Sequence, residues 1–262
     1  MIPQADIVGW RSIVPWTSDA QVEQDLIISR VLVDIFTHPV LRERVVFRGG
    51  TALHKLYLQP ASRYSEDIDL VQKTAGPIGE TIGLFRTVLD NWLSIPRREQ
   101  AKDNVTLTYR GESEIPPVLP LRVKIEINTR EHFTKYGHVQ IPFSVHTRWF
   151  DGQCNVVTYT IEELLGTKLR ALYQRRKGRD LFDIWLGITQ GNAAPDKIVK
   201  GFRRYIEAEG TTISHRQMAD NLQEKMAHPG FLRDITPLLR PGVEYDPQKA
   251  FRVVKELILP LV

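Results

Sequence analysis

Two stretches decide the reading: Phe47-Arg-Gly-Gly-Thr-Ala-Leu-His-Lys55 and, a short gap later, Arg63-Tyr-Ser-Glu-Asp-Ile-Asp-Leu70. The first joins a β-branched run, Arg44 to Arg48, to a glycine turn at Gly49-Gly50. The pattern after it predicts a helix capped by Thr51 and reaching about Leu58. The second enters a strand over Ile68 to Val71. Residues two apart in a strand share a face, so Asp67 and Asp69 present two carboxylates side by side while Ile68 and Leu70 turn to the core.

Outward from this point the patterns are regular. Apolar residues at Val22, Leu26, Ile27, Val31, Leu32 and Ile35 form the stripe of a helix from Val22 to Phe36, and Ile78 to Leu93 reads as another, closed by Ile95-Pro96. Val105 to Tyr109 and Leu121 to Ile127 alternate as strands. Glu126 therefore points away from the apolar face of its strand, and it is the candidate third carboxylate. Hard divalent ions such as Mg²⁺ or Mn²⁺ take oxygen ligands, so Asp67, Asp69 and Glu126 with substrate phosphates suit one or two of them. Gly49 and Gly50 leave room for backbone amides to approach a triphosphate, the following helix aims its N-terminal dipole there, and Ser65 adds a hydroxyl.

Composition shifts near Asp151, and beyond Thr160 the pattern is helical. A capping box at Thr160-Ile-Glu-Glu163 starts a helix to about Arg176; a break at Gly178 precedes a second from Arg179, and amphipathic stretches follow over 196–209, 214–226 and 247–257. Two domains are expected, 1–158 and 159–262. Lys168 and Arg175, seven apart on one predicted helix, share a face; without a motif they read as surface charges balanced by Glu162, Glu163 or Asp180, the other reading being a pair that suits a triphosphate.

Bulk properties narrow the class. An apolar fraction of 42% and a charged fraction of 25% exclude a disordered or fibrous chain. The net charge of +4 is a weak pointer to polyanions. Its local concentration at Arg170, Arg175, Arg176, Lys177 and Arg179, with Arg203 and Arg204 later, reads either as a phosphate-binding surface or as a solvated helix face. One cysteine, Cys154, excludes an intramolecular disulfide and fits a reducing cytoplasm. The opening residues lack the order of a secretory leader, and no apolar run is long enough to span a bilayer.

Phe-Arg-Gly-Gly-Thr-Ala-Leu-x-Lys followed by Arg-x-Ser-Glu-Asp-Ile-Asp-Leu resembles the AbiEii/AbiGii (MenT-type) nucleotidyltransferase toxin family. A second block, Lys168-Leu-Arg-Ala-Leu-Tyr-Gln-Arg-Arg-Lys-Gly-Arg-Asp-Leu-Phe-Asp183, looks like the downstream motif of that family. The resemblance implies an α/β (α+β) polymerase-β-like nucleotidyltransferase domain with a mixed sheet, followed by a helical domain. It implies transfer of a nucleoside monophosphate from an NTP to an RNA, with the tRNA 3′ end favoured, release of pyrophosphate, and a cognate antitoxin. On this resemblance Gly49, Gly50 and Ser65 match the glycine turn and hydroxyl, Asp67 and Asp69 the metal pair, Lys168 a phosphate contact and Asp183 a supporting acid. Gly49-Gly50 departs from the Gly-Ser of related transferases, which leaves Thr51 as the nearest hydroxyl. Spacing alone also allows Asp183 to orient Arg179 instead. Two other functions fit the same residues: a non-catalytic nucleotide or RNA binder, and a transferase acting on a protein or small molecule.

Overall fold

The computed structural model describes residues 2–14 and 16–262. They form two compact units: the second comprises Tyr57–Arg63, Thr134–Gly137 and Tyr159–Val262, and the first the remaining described residues.

In the first unit, α1 (Gln4–Trp10), α2 (Asp19–Thr37) and α3 (Leu41–Arg44) lead into β1 (Val45–Arg48), then α4 (Gly49–Ala52) with a π-helical turn over Leu53–Tyr57. There follow β2 (Asp67–Gln72), α5 (Gly79–Leu93), β3 (Arg97–Gln100), β4 (Asn104–Glu112), β5 (Pro120–Asn128), β6 (His138–His146) and β7 (Asp151–Tyr159). Among the described residues the strands make one sheet of order β3-β4-β5-β2-β1-β7-β6. It is mixed: β1–β2, β3–β4 and β4–β5 are antiparallel, whereas β2–β5 and β1–β7 are parallel.

Strand alternation fixes the sheet's two faces. Ile68 and Leu70 of β2, Val105, Leu107 and Tyr109 of β4, and Val123, Ile125 and Ile127 of β5 are buried. Onto the sheet pack α2, which touches β5, and α5, which touches β4. Removal of these side chains from water is the main stabilising term, about 1.5–3 kcal/mol for each large aliphatic residue. The stripe on α2 is wider than predicted: Glu23, Gln24, Asp25 and Ser29 are buried with it.

Asp25 explains that burial. Its carboxylate accepts from the Trp10 indole at 3.0 Å, the Trp16 indole at 3.2 Å and the Lys55 ammonium at 2.9 Å. Lys55 also donates to the Ser29 hydroxyl at 2.9 Å. One buried acid thus ties α1, α2 and the π-helical turn together.

The second unit holds α6 (Ile161–Gln174), α7 (Gly178–Thr189), α8 (Pro195–Ala208), α9 (His215–Met226), α10 (Pro229–Arg233) and α11 (Pro247–Leu257). Helices α6 and α8 cross closely at Gly166, where a Cβ would lie 2.8 Å from the Phe202 nitrogen. The predicted capping box at α6 is half present. Thr160 Oγ1 accepts from the Glu163 amide at 3.3 Å. The fully buried Glu163 carboxylate instead accepts from the Lys135 and Tyr136 amides at 2.8 and 3.0 Å and from the Tyr205 hydroxyl at 2.9 Å.

Replacing Asp25 with Ala strands the Lys55 ammonium, whose side chain is only 9% exposed. The expected cost is about 3–5 kcal/mol, read from urea unfolding midpoints; a loss below about 1 kcal/mol would show that the acid is not the hub.

Candidate active site

Register places the candidate acids. In the parallel β2–β5 pair Asp67 lies opposite Lys124 and Asp69 opposite Glu126, and each strand buries its alternate residues. Asp67, Asp69, Lys124 and Glu126 therefore share the face turned away from the apolar core. On the other side of β2, Arg48 of β1 lies opposite Asp69, so the turn after β1 begins beside that carboxylate.

Gly49 is required there twice over. Its φ is +84°, and a Cβ would overlap the Asp69 carboxylate. Thr51 does not cap the helix as predicted, because the backbone turns helical at Gly49 and Arg48 is the N-cap. Its side chain is 1% exposed. Its hydroxyl donates to the Asp67 carbonyl at 2.5 Å and lies 2.9 Å from the Ser65 hydroxyl. Gly50 is buried too, and Ser65 is half-buried. The turn residues thus brace β2 from within.

The chemistry of this group suits a hard cation. Asp67 Oδ1 is buried and, among the described residues, has no hydrogen-bond partner. A desolvated carboxylate oxygen in that state is unfavourable unless a cation or donor meets it. Lys124 reports the same field. Its hydrogen bond to Glu126, with the charges of Glu126, Asp67 and Asp69 behind it, outweighs burial and holds the ammonium pKa above its ordinary value. Glu126 corrects the expectation of three convergent acids. Its strand position is beside Asp69, but its carboxylate pairs with Lys124 at 2.6 Å. Among the described residues no three His, Cys, Asp or Glu side chains form a ready metal cluster. A cleft of about 700 Å³ between α2–α3 and β6–β7 shares no residue with this group.

Lys168, Arg175 and Asp183 lie in the second unit, in a buried ion network. Lys168 is 7% exposed, and its ammonium is 3.2 Å from Asp180 and 3.0 Å from Asp183. Asp183 also accepts two hydrogen bonds from Arg63, both of 2.7 Å. Arg175 clasps Asp180 at 2.7 and 2.9 Å. Burial alone would push the Asp180 carboxyl up, but Lys168 and then Arg175 outweigh it and hold its pKa below 3.8. Two expectations change here. Helix α6 ends at Gln174, so Arg175 leaves the helical face it was to share with Lys168, and the two meet through Asp180 instead. Asp183 orients Arg63 rather than Arg179, whose backbone amide and guanidinium face Asp234.

The basic run is likewise engaged. Arg170 pairs with Glu209, Arg176 with Glu224 and Lys177 with Asp234, while Arg203 donates to the carbonyls of Leu261 and Val262. Of the two readings of this run, the contacts fit the solvated helix face: acids distant in sequence lie against Arg170, Arg176 and Lys177, and backbone carbonyls against Arg203.

The site thus sets two acids of one strand beside a glycine turn on a mixed sheet. The model of the nucleotidyl transferase AbiEii toxin family, type IV toxin–antitoxin system, matches residues 30–256. The chain belongs to that family. MenT4, a nucleotidyltransferase toxin from Mycobacterium tuberculosis H37Rv, has a similar structure: TM-score 0.53 at 14% identity, covering 98% of this chain and 97% of that one. An H. pylori protein assigned to the nucleotidyltransferases gives 0.50 at 16% identity, covering 92% and 97%. At these identities the likeness is one of fold. No curated protein sequence matches. Membership makes the chain a toxin nucleotidyltransferase and implies a cognate antitoxin. No helix among the described residues is long and apolar enough to cross a membrane.

Gly49→Ala forces a left-handed residue and displaces the Asp69 carboxylate, at an expected cost of about 1–3 kcal/mol. Urea unfolding midpoints read that cost; a variant as stable as the wild type would sink the idea that the turn needs a glycine beside Asp69. For Asp180 the folded pKa is depressed, so its stabilisation is present above the ordinary 3.8 and lost as pH falls through the folded value. Urea midpoints of wild type should therefore drop on acidification below about pH 4, and those of Asp180→Asn should drop less.

Proposed function

We propose that this toxin transfers a nucleoside monophosphate from an NTP to an RNA acceptor, with the tRNA 3′ end as the favoured target, and that it works in the cytoplasm. The observation that carries the reading is the Asp67–Asp69 pair beside the glycine turn, with one buried carboxylate oxygen lacking a partner. Asp67 and Asp69 would hold Mg²⁺ or Mn²⁺, and Glu126 would join them by exchanging Lys124 for the ion. A bound divalent ion supplies charge neutralisation on the phosphates and polarises their oxygens. Gly49 and Gly50 leave the backbone accessible to the triphosphate, and Ser65 and Thr51 hold β2 so that the acids keep their spacing.

In the reaction the acceptor hydroxyl oxygen bonds to the α-phosphorus and its proton passes to solvent. The bond from that phosphorus to the oxygen bridging the β-phosphate breaks, and pyrophosphate leaves. Positioning and electrostatics would supply most of the acceleration in such a transfer. Lys168, Arg175 and Asp183 enter as the ion network of the second unit. For Lys168 or Arg175 to meet a phosphate, each would first leave Asp180.

The test is incubation of purified protein with Mg²⁺, each labelled NTP in turn and total tRNA, beside an Asp67→Ala/Asp69→Ala double variant. Label entering RNA only with intact acids is the expected result. Label entering protein would move the acceptor assignment to a protein hydroxyl while keeping the chemistry. NTP binding without any transfer would replace the proposal with a non-catalytic nucleotide binder.

A further inference from the structure

The sheet face that carries the acids continues across β5, β4 and β3, where Lys124, Arg122, Arg110 and Arg97 stand among Glu126, Glu112 and Glu99. Register sets Arg97 of β3 opposite Thr108 of β4, Thr108 opposite Lys124 of β5, and Lys124 opposite Asp67 of β2. One step along, Arg110 of β4 lies directly opposite Arg122 of β5. All five of these β3–β5 residues point away from the buried face, and Arg97, Arg110 and Arg122 are exposed. Arg97 and Arg110 line a cleft of about 240 Å³ with Thr108, Ser94 and Ile95.

This arrangement is electrostatically unfavourable in the free protein. Like charges directly opposite on neighbouring strands destabilise the pair, and among the described residues Arg110 has no acidic partner within salt-bridge distance. Arg122 is 3.8 Å from Glu66, and Arg97 is 2.8 Å from Glu99, both pairs exposed to solvent. Such pairs contribute little and exchange readily for a stronger anion. Arg175 of the second unit differs, since it holds the fully buried Asp180.

We propose that Arg97, Arg110 and Arg122 form the entry track for the phosphodiester backbone of an RNA acceptor, leading along the open sheet face to the carboxylates. Strands are about 4.8 Å apart, so the Arg97 backbone stands three spacings, roughly 14 Å, from Asp67. That distance suits successive phosphates of a chain better than a triphosphate held at the acids. Arginine donates in a planar fork that matches phosphate oxygens, and Thr108 adds a hydroxyl between Arg97 and Lys124. The proposal rests on the RNA acceptor proposed above.

The experiment measures binding of a labelled single-stranded oligoribonucleotide, without NTP or divalent metal, across a salt series, for wild type and the triple variant Arg97→Gln/Arg110→Gln/Arg122→Gln. Each lost phosphate contact lowers the slope of log affinity against log salt by about 0.7, so the triple variant should lose about 2. Its melting temperature should be no lower than wild type, because the opposed arginines are gone, and labelled-NTP binding should be retained. An unchanged slope, or lost NTP binding with RNA binding intact, overturns the track. The transfer assay separates the two readings. If RNA binding falls in the variant but wild type never labels RNA, the track stands and the acceptor reading fails. If wild type labels RNA and the slope does not move, the acceptor reading stands and the track fails.

Discussion

Burial of Ile68 and Leu70 beneath β2 is the constraint on which the site depends. With those two side chains in the core, the period of two leaves Asp67 and Asp69 no direction but the opposite face. The parallel partner β5 then carries Lys124 and Glu126 to the same face, and antiparallel β1 delivers the glycine turn to the Asp69 carboxylate. A slip of one residue would bury both acids and expose both aliphatics, so the hydrophobic effect itself guards the position of the charges. The Thr51 hydroxyl on the Asp67 carbonyl adds a local pin to the same strand.

The second unit solves a different problem. Arg63, Lys168, Arg175, Asp180 and Asp183 place three cations and two acids in or at the edge of a buried space. Desolvation of so many charges is tolerable only because the hydrogen bonds interlock: Arg63 clasps Asp183, Arg175 clasps Asp180, and Lys168 bridges both. Each acid is shared by two cations, Asp180 by Lys168 and Arg175 and Asp183 by Lys168 and Arg63. Ion networks of this kind specify a unique packing more surely than they add stability.

Much of this was legible in the sequence, for physical reasons that also explain the failures. Strands β2, β4 and β5 announce themselves because one face is buried and the other is not, and that same alternation located Glu126. The amphipathic helices α2, α5, α8, α9 and α11 follow from their apolar period. Strand β3, Arg-Arg-Glu-Gln, is exposed along its whole length and has no apolar signal. Strand β6 is exposed or half-exposed except at Val145 and carries Pro142 at its midpoint; its signal is the alternation of Val139, Ile141, Phe143 and Val145. Ion partners were the least legible. Arg63 and Asp183 are 120 residues apart, and nothing local to either names the other. Arg63 stood inside the quoted motif, and an arginine beside the glycine turn and acid strand was the available signal. The Lys124–Glu126 pair is legible as an i, i+2 spacing of opposite charges on one strand.

The proposed polyanionic acceptor would set a condition on the charge of the open sheet face. Acids that hold a divalent ion repel every phosphate the ion does not itself neutralise. A site built only of carboxylates would therefore attract the metal and turn away the chain that must reach it. Cations on neighbouring strands would offset that repulsion from outside the acids. Lys124 stands at the boundary, sharing a row with Asp67 on one side and with Thr108 and Arg97 on the other. The net charge of +4 conceals this because the cations of the second unit are paired internally. What a polyanion meets is the local order of charges along one sheet face, set strand by strand by register.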